Sequence, residues 1–278
     1  MKNRIWLITG ISSGLGKALA ESVIKSGDFV IGTFRNQEQV TAFNVKYQEK
    51  AHSILLDITA EESIESTLKS IISKFGRIDV LVNNAGIGFV GAIEETAISE
   101  VRSVFEANFF GTLKLTQTVL PFMREVKKGH VVQISSHGGI KAFAGFGIYN
   151  ASKFALEGFS EAMAQEVEPL GIKVSIIEPG PFRTAFAGDG LGQAKNIIAD
   201  YSETAGAFRA KLKGVDGKQE GDPTKAAKAI IDLVNSKNPS LRLPLGKVAL
   251  MTIGMKLDSV KADLASNREI ALNAIYQE

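Results

Sequence analysis

Tyr149 and Lys153 stand four residues apart, a spacing that puts both side chains on one face of a helix. A phenol, with a reference pKa of ~10, is a poor acid–base catalyst at neutral pH. A neighbouring ammonium favours the phenolate and moves that value toward the working range. Ser136 lies thirteen residues before Tyr149 and offers a hydroxyl to an oxygen on which charge develops. The three side chains suit the transfer of a proton to or from a substrate oxygen. Tyr47, Tyr201 and Tyr276 have no such company. The bland alternative for the pair is a half-buried Tyr and a snorkelling Lys on an amphipathic helix.

A second cluster suits phosphate. Thr9-Gly10-Ile11-Ser12-Ser13-Gly14-Leu15-Gly16 joins an apolar run to a helical pattern. Gly10 permits a tight exit from a strand, Gly14 lets a pyrophosphate approach the backbone, and Gly16 lets helix and strand pack closely. Free amides at the helix start favour the phosphates. Cofactor choice is read at the end of the next strand, Val30-Ile31-Gly32-Thr33-Phe34-Arg35. An acid there would bond the ribose 2′-hydroxyl of NAD, but Phe34 occupies the place and Arg35 follows. A guanidinium pairs bidentately with a phosphate, and the Ser13 hydroxyl adds a donor. NADP(H) is therefore expected over NAD(H), the competing reading of Arg35 being an ordinary surface arginine.

Composition narrows the chemistry further. The 278 residues include no Cys, which removes thiolate nucleophiles, CxxC redox centres, iron–sulfur clusters and Cys-ligated zinc. Three histidines, His52, His130 and His137, have no paired metal-ligand spacing, so no metal is expected. A net charge of +2 argues against nucleic acid and anionic membranes as partners. No apolar run approaches the ~18 residues of a membrane span. The basic N-terminus is followed by too short an apolar run for a signal segment, and a cytoplasmic protein is expected.

The elements that must position these residues alternate. Ile5–Thr9, Phe29–Gly32, Ser53–Asp57, Val80–Asn83, Val131–Ser135, Lys173–Ile177 and Leu241–Leu243 read as strands. Helical patterns cover Leu15–Ile24, Ile64–Phe75, Val101–Met123, Tyr149–Leu170 and Lys225–Val234, and the chain from Val248 onward reads as mostly helical. The pattern predicts an α/β fold, a Rossmann-type doubly wound parallel sheet of about seven strands flanked by helices. No linker divides it, so residues 1–278 form one expected domain, with a helical extension over 248–278. Residues 182–221 lie beyond a strand end and read as a partly helical lid over the site, or else as a decoration packed on the core.

Asn83-Asn84-Ala85-Gly86 closes the fourth strand, Asn108 lies in the next helix, and Pro179-Gly180-Pro-Phe-Arg-Thr184 follows the sixth strand. With TGxxxGxG, Ser136 and Tyr149-Asn-Ala-Ser-Lys153, this ordered set resembles the short-chain dehydrogenase/reductase family over residues 4 to about 184. The chain is similar to the tetrad-type branch, in which Asn108 would hold a water relaying protons to Lys153. The resemblance implies that Lys153 also holds the nicotinamide ribose and that Ser136, not Ser135, is the catalytic serine. It implies that Asp57, with Ile58, contacts the adenine, against the alternative of a helix N-cap. Asn84, Ala85 and Gly86 would border the adenosine ribose, and Pro179, Gly180 and Thr184 the nicotinamide side.

Substrate identity has no motif. His137, Phe143, Phe182 and Phe186 are the expected pocket lining, with Phe146 before Tyr149 and Phe89 after Asn83-Asn84-Ala85-Gly86 as further candidates, although such a cluster is equally core. A lined pocket implies a hydrophobic ketone, aldehyde or secondary alcohol, and the chain looks closest to hydroxysteroid- and retinol-dehydrogenase-like members. The alternatives are a non-catalytic NADP-binding regulator on the same fold and an isomerase or dehydratase of the family. The resemblance also implies a homodimer or homotetramer.

Overall fold

The computed structural model describes residues 3–188 and 190–276. Nine strands occur in it: β1 (Ile5–Ile8), β2 (Phe29–Phe34), β3 (Ala51–Leu55), β4 (Val80–Asn83), β5 (Gly88–Val90), β6 (Gly129–Ile134), β7 (Ile172–Pro179), β8 (Leu191–Gln193) and β9 (Arg242–Leu245). The α-helices are α1 (Gly14–Lys25), α2 (Gln37–Tyr47), α3 (Glu61–Phe75), α4 (Ile98–Phe105), α5 (Gly111–Glu125), α6 (Gly147–Val167), α7 (Ala207–Val215), α8 (Pro223–Asn235), α9 (Lys247–Ser266) and α10 (Arg268–Leu272).

Seven strands form one parallel sheet in the order β3-β2-β1-β4-β6-β7-β9. Both faces are covered, and β1 shows why its run is continuously apolar. Trp6 and Ile8 pack on one side with Leu19 of α1 and Ile230 of α8. Ile5 and Leu7 pack on the other with Leu68 of α3 and Leu115 of α5. A strand buried on both faces has no polar alternation to display. The expected α/β sheet of about seven strands is thus present.

The strand order reverses between β1 and β4, which opens a crevice beyond their carboxyl ends. The π turn, α2, β5 and β8 differ from the sequence expectation. The segment read as one helix over 101–123 is broken by a π turn at Glu106–Phe110 between α4 and α5. Helix α2 carries one buried residue, Val40, so no apolar stripe betrayed it; its start is capped by Asn36, whose side chain accepts from Glu38 N and Gln39 N. Strands β5 and β8 pair with each other outside the main sheet. They are three residues each, too short for a period to register.

Residues 182–221 return to their starting point: Phe182 bridges Gly221, and Arg183 N donates to Gly221 O at 2.9 Å. Between these ends lie β8 and α7. Among the described residues, no helix is long and apolar enough to cross a membrane.

Candidate active site

The crevice is held open by backbone geometry. Gly10 and Gly14 have positive φ, +67° and +58°, which L side chains rarely adopt. A Cβ on Gly16 would lie 2.3 Å from Asn84 Nδ2 and 2.5 Å from Gly10 O, so only glycine fits. Asn84 belongs to the loop after β4 and stitches the crevice floor, donating from Nδ2 to Thr9 O and Gly10 O at 2.8 and 3.0 Å. The N–H groups of Asn84 and Ala85 both donate to Thr9 Oγ1 at 2.9 Å. Ser12 and Ser13 are exposed beside Gly14 and Leu15, and the Ser13 side chain makes no cap hydrogen bond to α1. Thr184, beyond β7, faces Gly14 across the crevice: a Cβ there would sit 3.3 Å from the Thr184 Cβ.

The end of β2 abuts this loop, with Gly10 N donating to Thr33 Oγ1 at 3.1 Å. Phe34 is buried against Phe43, and Arg35 emerges exposed at the crevice rim. Asp57 lies just beyond β3, where its Oδ1 accepts from Thr59 N and Oγ1 at 2.9 and 2.8 Å. The cap of α3 is Ala60, so Asp57 is not its N-cap residue. Its neighbour Ile58 is buried. Pro179 ends β7, and Gly180 N donates to Leu245 O at 2.9 Å.

Helix α6 delivers the second cluster. Tyr149 and Lys153 are 4% and 6% exposed, with Lys153 Nζ 5.9 Å from the phenol ring centroid. Lys153 Nζ donates to Ile134 O at 2.9 Å, which ties the helix to the end of β6. Ser136, also buried, follows β6 and its Oγ accepts from Gly138 N at 3.0 Å. Ser135 turns the opposite way: a Cβ on Gly139 would meet both Ser135 Oγ and Glu157. The π turn brings Asn108 under Lys153, and a Cβ on Gly86 would touch Asn108 Oδ1 at 2.9 Å and lie 3.7 Å from Lys153 Nζ. The Asn108 amide is committed to Ile87 N and O at 2.8 and 2.9 Å and to Ser152 Oγ at 3.0 Å.

Electrostatics here depart from the sequence expectation. Burial pushes the Tyr149 phenol up to about 12, while the Ser136 hydroxyl draws it the other way. Burial also pushes Lys153 down to about 8, opposed by the Glu157 carboxylate. Burial is thus the larger influence on the phenol, and the Ser136 hydroxyl offsets it only in part.

A charge network behind Lys153 escaped sequence reasoning. Glu157 follows Lys153 by one turn and lies 3.3 Å from Arg242 of β9, and Glu178 of β7 lies 3.2 Å from the same Nε. Glu161 completes the set at 2.7 Å from Arg242 Nη2. Burial, reinforced by Glu157 and opposed by Arg242, pushes Glu178 up to about 7. An acid inside the apolar run Val174–Pro179 was the available signal.

Around Tyr149 stands an aromatic wall. Phe146 stacks on the phenol at 4.3 Å and Phe186 meets it edge-on at 5.6 Å. Phe208 of α7 joins Phe146 at 5.3 Å and Phe143 at 6.3 Å, and His137 packs on Phe143 at 5.1 Å. His137 Nδ1 is 2.9 Å from Thr252 Oγ1 of α9, and burial pushes its imidazole down to about 4, so it is neutral at pH 7. Phe208, absent from the expected lining, comes from a distant helix. Phe182 instead packs on Gly221 and Gly246, and Phe89 is core beside Val104 and Ala194.

Residues 4–192 match the family model described as short chain dehydrogenase. A curated relative, the 3-ketodihydrosphingosine reductase of Bacteroides thetaiotaomicron, is 38% identical over 249 residues, covering 88% of this chain and 89% of that protein. The crystal structure of a short-chain dehydrogenase from Streptomyces avermitilis superposes with a TM-score of 0.93 at 42% identity, covering 99% of this chain and 100% of that one. The structure of ElxO with NADP bound has a TM-score of 0.75 at 28% identity, covering 90% of this chain and 99% of that chain.

Proposed function

The chain belongs to the short-chain dehydrogenase/reductase family and is an oxidoreductase, and from that premise we propose that it is an NADP(H)-dependent reductase of hydrophobic ketones or aldehydes. One observation carries the reading: Ser136, Tyr149 and Lys153 converge, buried, beside a glycine cradle that a side chain would fill. The cradle fits a dinucleotide. Gly10, Gly14 and Gly16 allow close backbone approach, Ser12, Ser13 and the α1 amides supply donors, and Thr184 closes over Gly14. Arg35 would pair with a 2′-phosphate, with no acid at the β2 end to repel it. Asp57 and Ile58 would border the adenine, and Asn84, Ala85 and Gly86 the adenosine ribose. Pro179 and Gly180 would border the nicotinamide.

The bound nicotinamide supplies the hydride that none of these side chains can. Tyr149 donates its proton to the carbonyl oxygen, and Ser136 hydrogen-bonds that oxygen as its charge develops. Lys153 would hold the nicotinamide ribose and would support the developing phenolate. Asn108 fixes the π turn beneath Lys153 and would place the water that resupplies the proton.

Residues 182–221 act as a lid within a single domain, bringing Phe186 onto Tyr149 and Phe208 onto Phe146 and Phe143. That apolar wall suits a hydrophobic substrate, and the relative named 3-ketodihydrosphingosine reductase supports a reductase reading. Phe110 and Phe154, 49% and 42% exposed on the α5–α6 side, suit a homo-oligomer.

The test is a carbonyl and alcohol panel assayed with NADPH and NADH by nicotinamide absorbance. Tyr149→Phe is expected to lower turnover by at least about 100-fold while cofactor affinity stays within a few-fold. Near-normal turnover in the variant, or no turnover by the parent across the panel, would overturn the reading.

A further inference from the structure

Helix α9 touches the body only at its first turns. Ala249 and Thr252 are its buried residues, and Thr252 reaches His137 at 2.9 Å. The helix also carries a stripe that is exposed but for the half-buried Ile253 among the described residues. Leu250, Ile253, Leu257, Val260 and Leu264 follow one another at alternating steps of three and four residues. That is the repeat of the a and d positions of a two-helix seam. Leu250, Leu257, Val260 and Leu264 are 63%, 51%, 38% and 69% exposed. A helix of this length draws most of its stability from packing of its apolar face, so the stripe calls for a partner.

The charges beside the stripe say which partner fits. Lys256 and Asp263 occupy one flank of the seam, a heptad apart, and Lys261 lies on the other flank. Two copies paired in parallel would set Lys256 against the partner's Lys261 on both sides. Two copies paired antiparallel, about a two-fold axis between residues 258 and 259, bring Leu257 against the partner's Val260 and Ile253 against the partner's Leu264. In that register Lys256 faces the partner's Asp263, and the symmetry repeats the ion pair. The flank is complementary to itself in only one direction, as an isologous contact requires.

We propose that the α9 stripe is a self-association surface that pairs antiparallel with α9 of a second copy of this chain. A lipid surface is the competing cover for an exposed apolar helix, but the near-equal cationic and anionic content of α9 gives it no electrostatic attraction to anionic lipid.

Charge exchange tests the register without touching the core. Sedimentation velocity and equilibrium would be run on the full chain, on Lys256→Glu, on Asp263→Lys, on the double exchange, and on an equimolar mixture of the two single variants. Each single variant places like charges at both symmetric contacts and is expected to raise the dissociation constant by on the order of tenfold. The double exchange restores opposite charges at both contacts, and so does the mixture, each of which should recover the parental constant. Unchanged turnover in every variant checks that the fold is intact. The proposal is overturned if the single variants associate like the parent, if the mixture stays dissociated, or if the parent sediments as a monomer throughout. Flotation of the parent with phosphatidylcholine vesicles, lost in Leu257→Asp with no change in self-association, would assign the stripe to lipid and overturn it as well.

Discussion

Arg35 is a single exposed side chain on which the cofactor preference is argued to turn. Arg35→Asp removes a charge-assisted contact and adds repulsion, so the NADPH/NADH efficiency ratio is expected to fall by about 10- to 100-fold. An unchanged ratio would refute the assignment. Glu178 makes a second prediction, about stability. Its carboxyl titrates at about 7, above the ordinary 4.5, so the folded protein binds the extra proton between those values. Its contribution is favourable in acid and is lost as pH rises through about 7, where a charged carboxylate stays buried. Glu178→Gln should therefore raise the melting temperature at pH 8 by a few degrees and leave it nearly unchanged at pH 5. Thermal melts at the two pH values decide it; an equal shift at both would show that titration is not the cause. Tyr149, Lys153 and Ser136 were legible from spacing and resemblance, because one helical turn places the first two regardless of what surrounds them. Glu157, Glu178 and Arg242 were not, since their meeting depends on how β7, β9 and α6 dock.

At the scale of elements, the 182–221 segment is latched by a buried carboxylate. Glu95, 2% exposed, accepts from Ala92 N and Ile198 N at 2.8 and 3.0 Å and pairs with Arg209 at 2.9 Å. Burial works against its charge, but the two N–H groups and the guanidinium outweigh it and hold the carboxyl below its usual range. Glu95→Ala strands all three partners and frees α7, which carries Phe208 to the aromatic wall. Proteolytic nicking within 182–221 should become several-fold faster and KM for a hydrophobic ketone should rise several-fold, with cofactor affinity unchanged. Equal nicking rates would argue that the segment is held elsewhere. Most elements were legible because the central strands β1 and β4 are nearly continuous apolar runs and α1, α3, α5 and α8 carry apolar stripes. The π turn at Glu106–Phe110 was not, because it adds no distinctive residue; it alters only which carbonyl an amide reaches.

For the molecule as a whole, the crevice at the reversal of strand order joins loops from both halves of the sheet, so a ligand held there should stabilise the entire fold. NADPH at about 100 times its dissociation constant is expected to raise the melting temperature by on the order of 5 °C, and NADH at the same concentration by less. Equal shifts would count against the 2′-phosphate contact at Arg35. The α/β class, the alternation of strands and helices, the glycine cradle and the Tyr149–Lys153 face were determined by sequence alone, because each rests on contacts within a few residues or on a single periodicity. Tertiary structure decided the rest. Phe146, Phe186 and Phe208 become one wall, Phe182 and Phe89 leave it, and burial pushes the Tyr149 phenol up. Those outcomes depend on desolvation and on contacts between elements far apart in the chain, which no local pattern encodes.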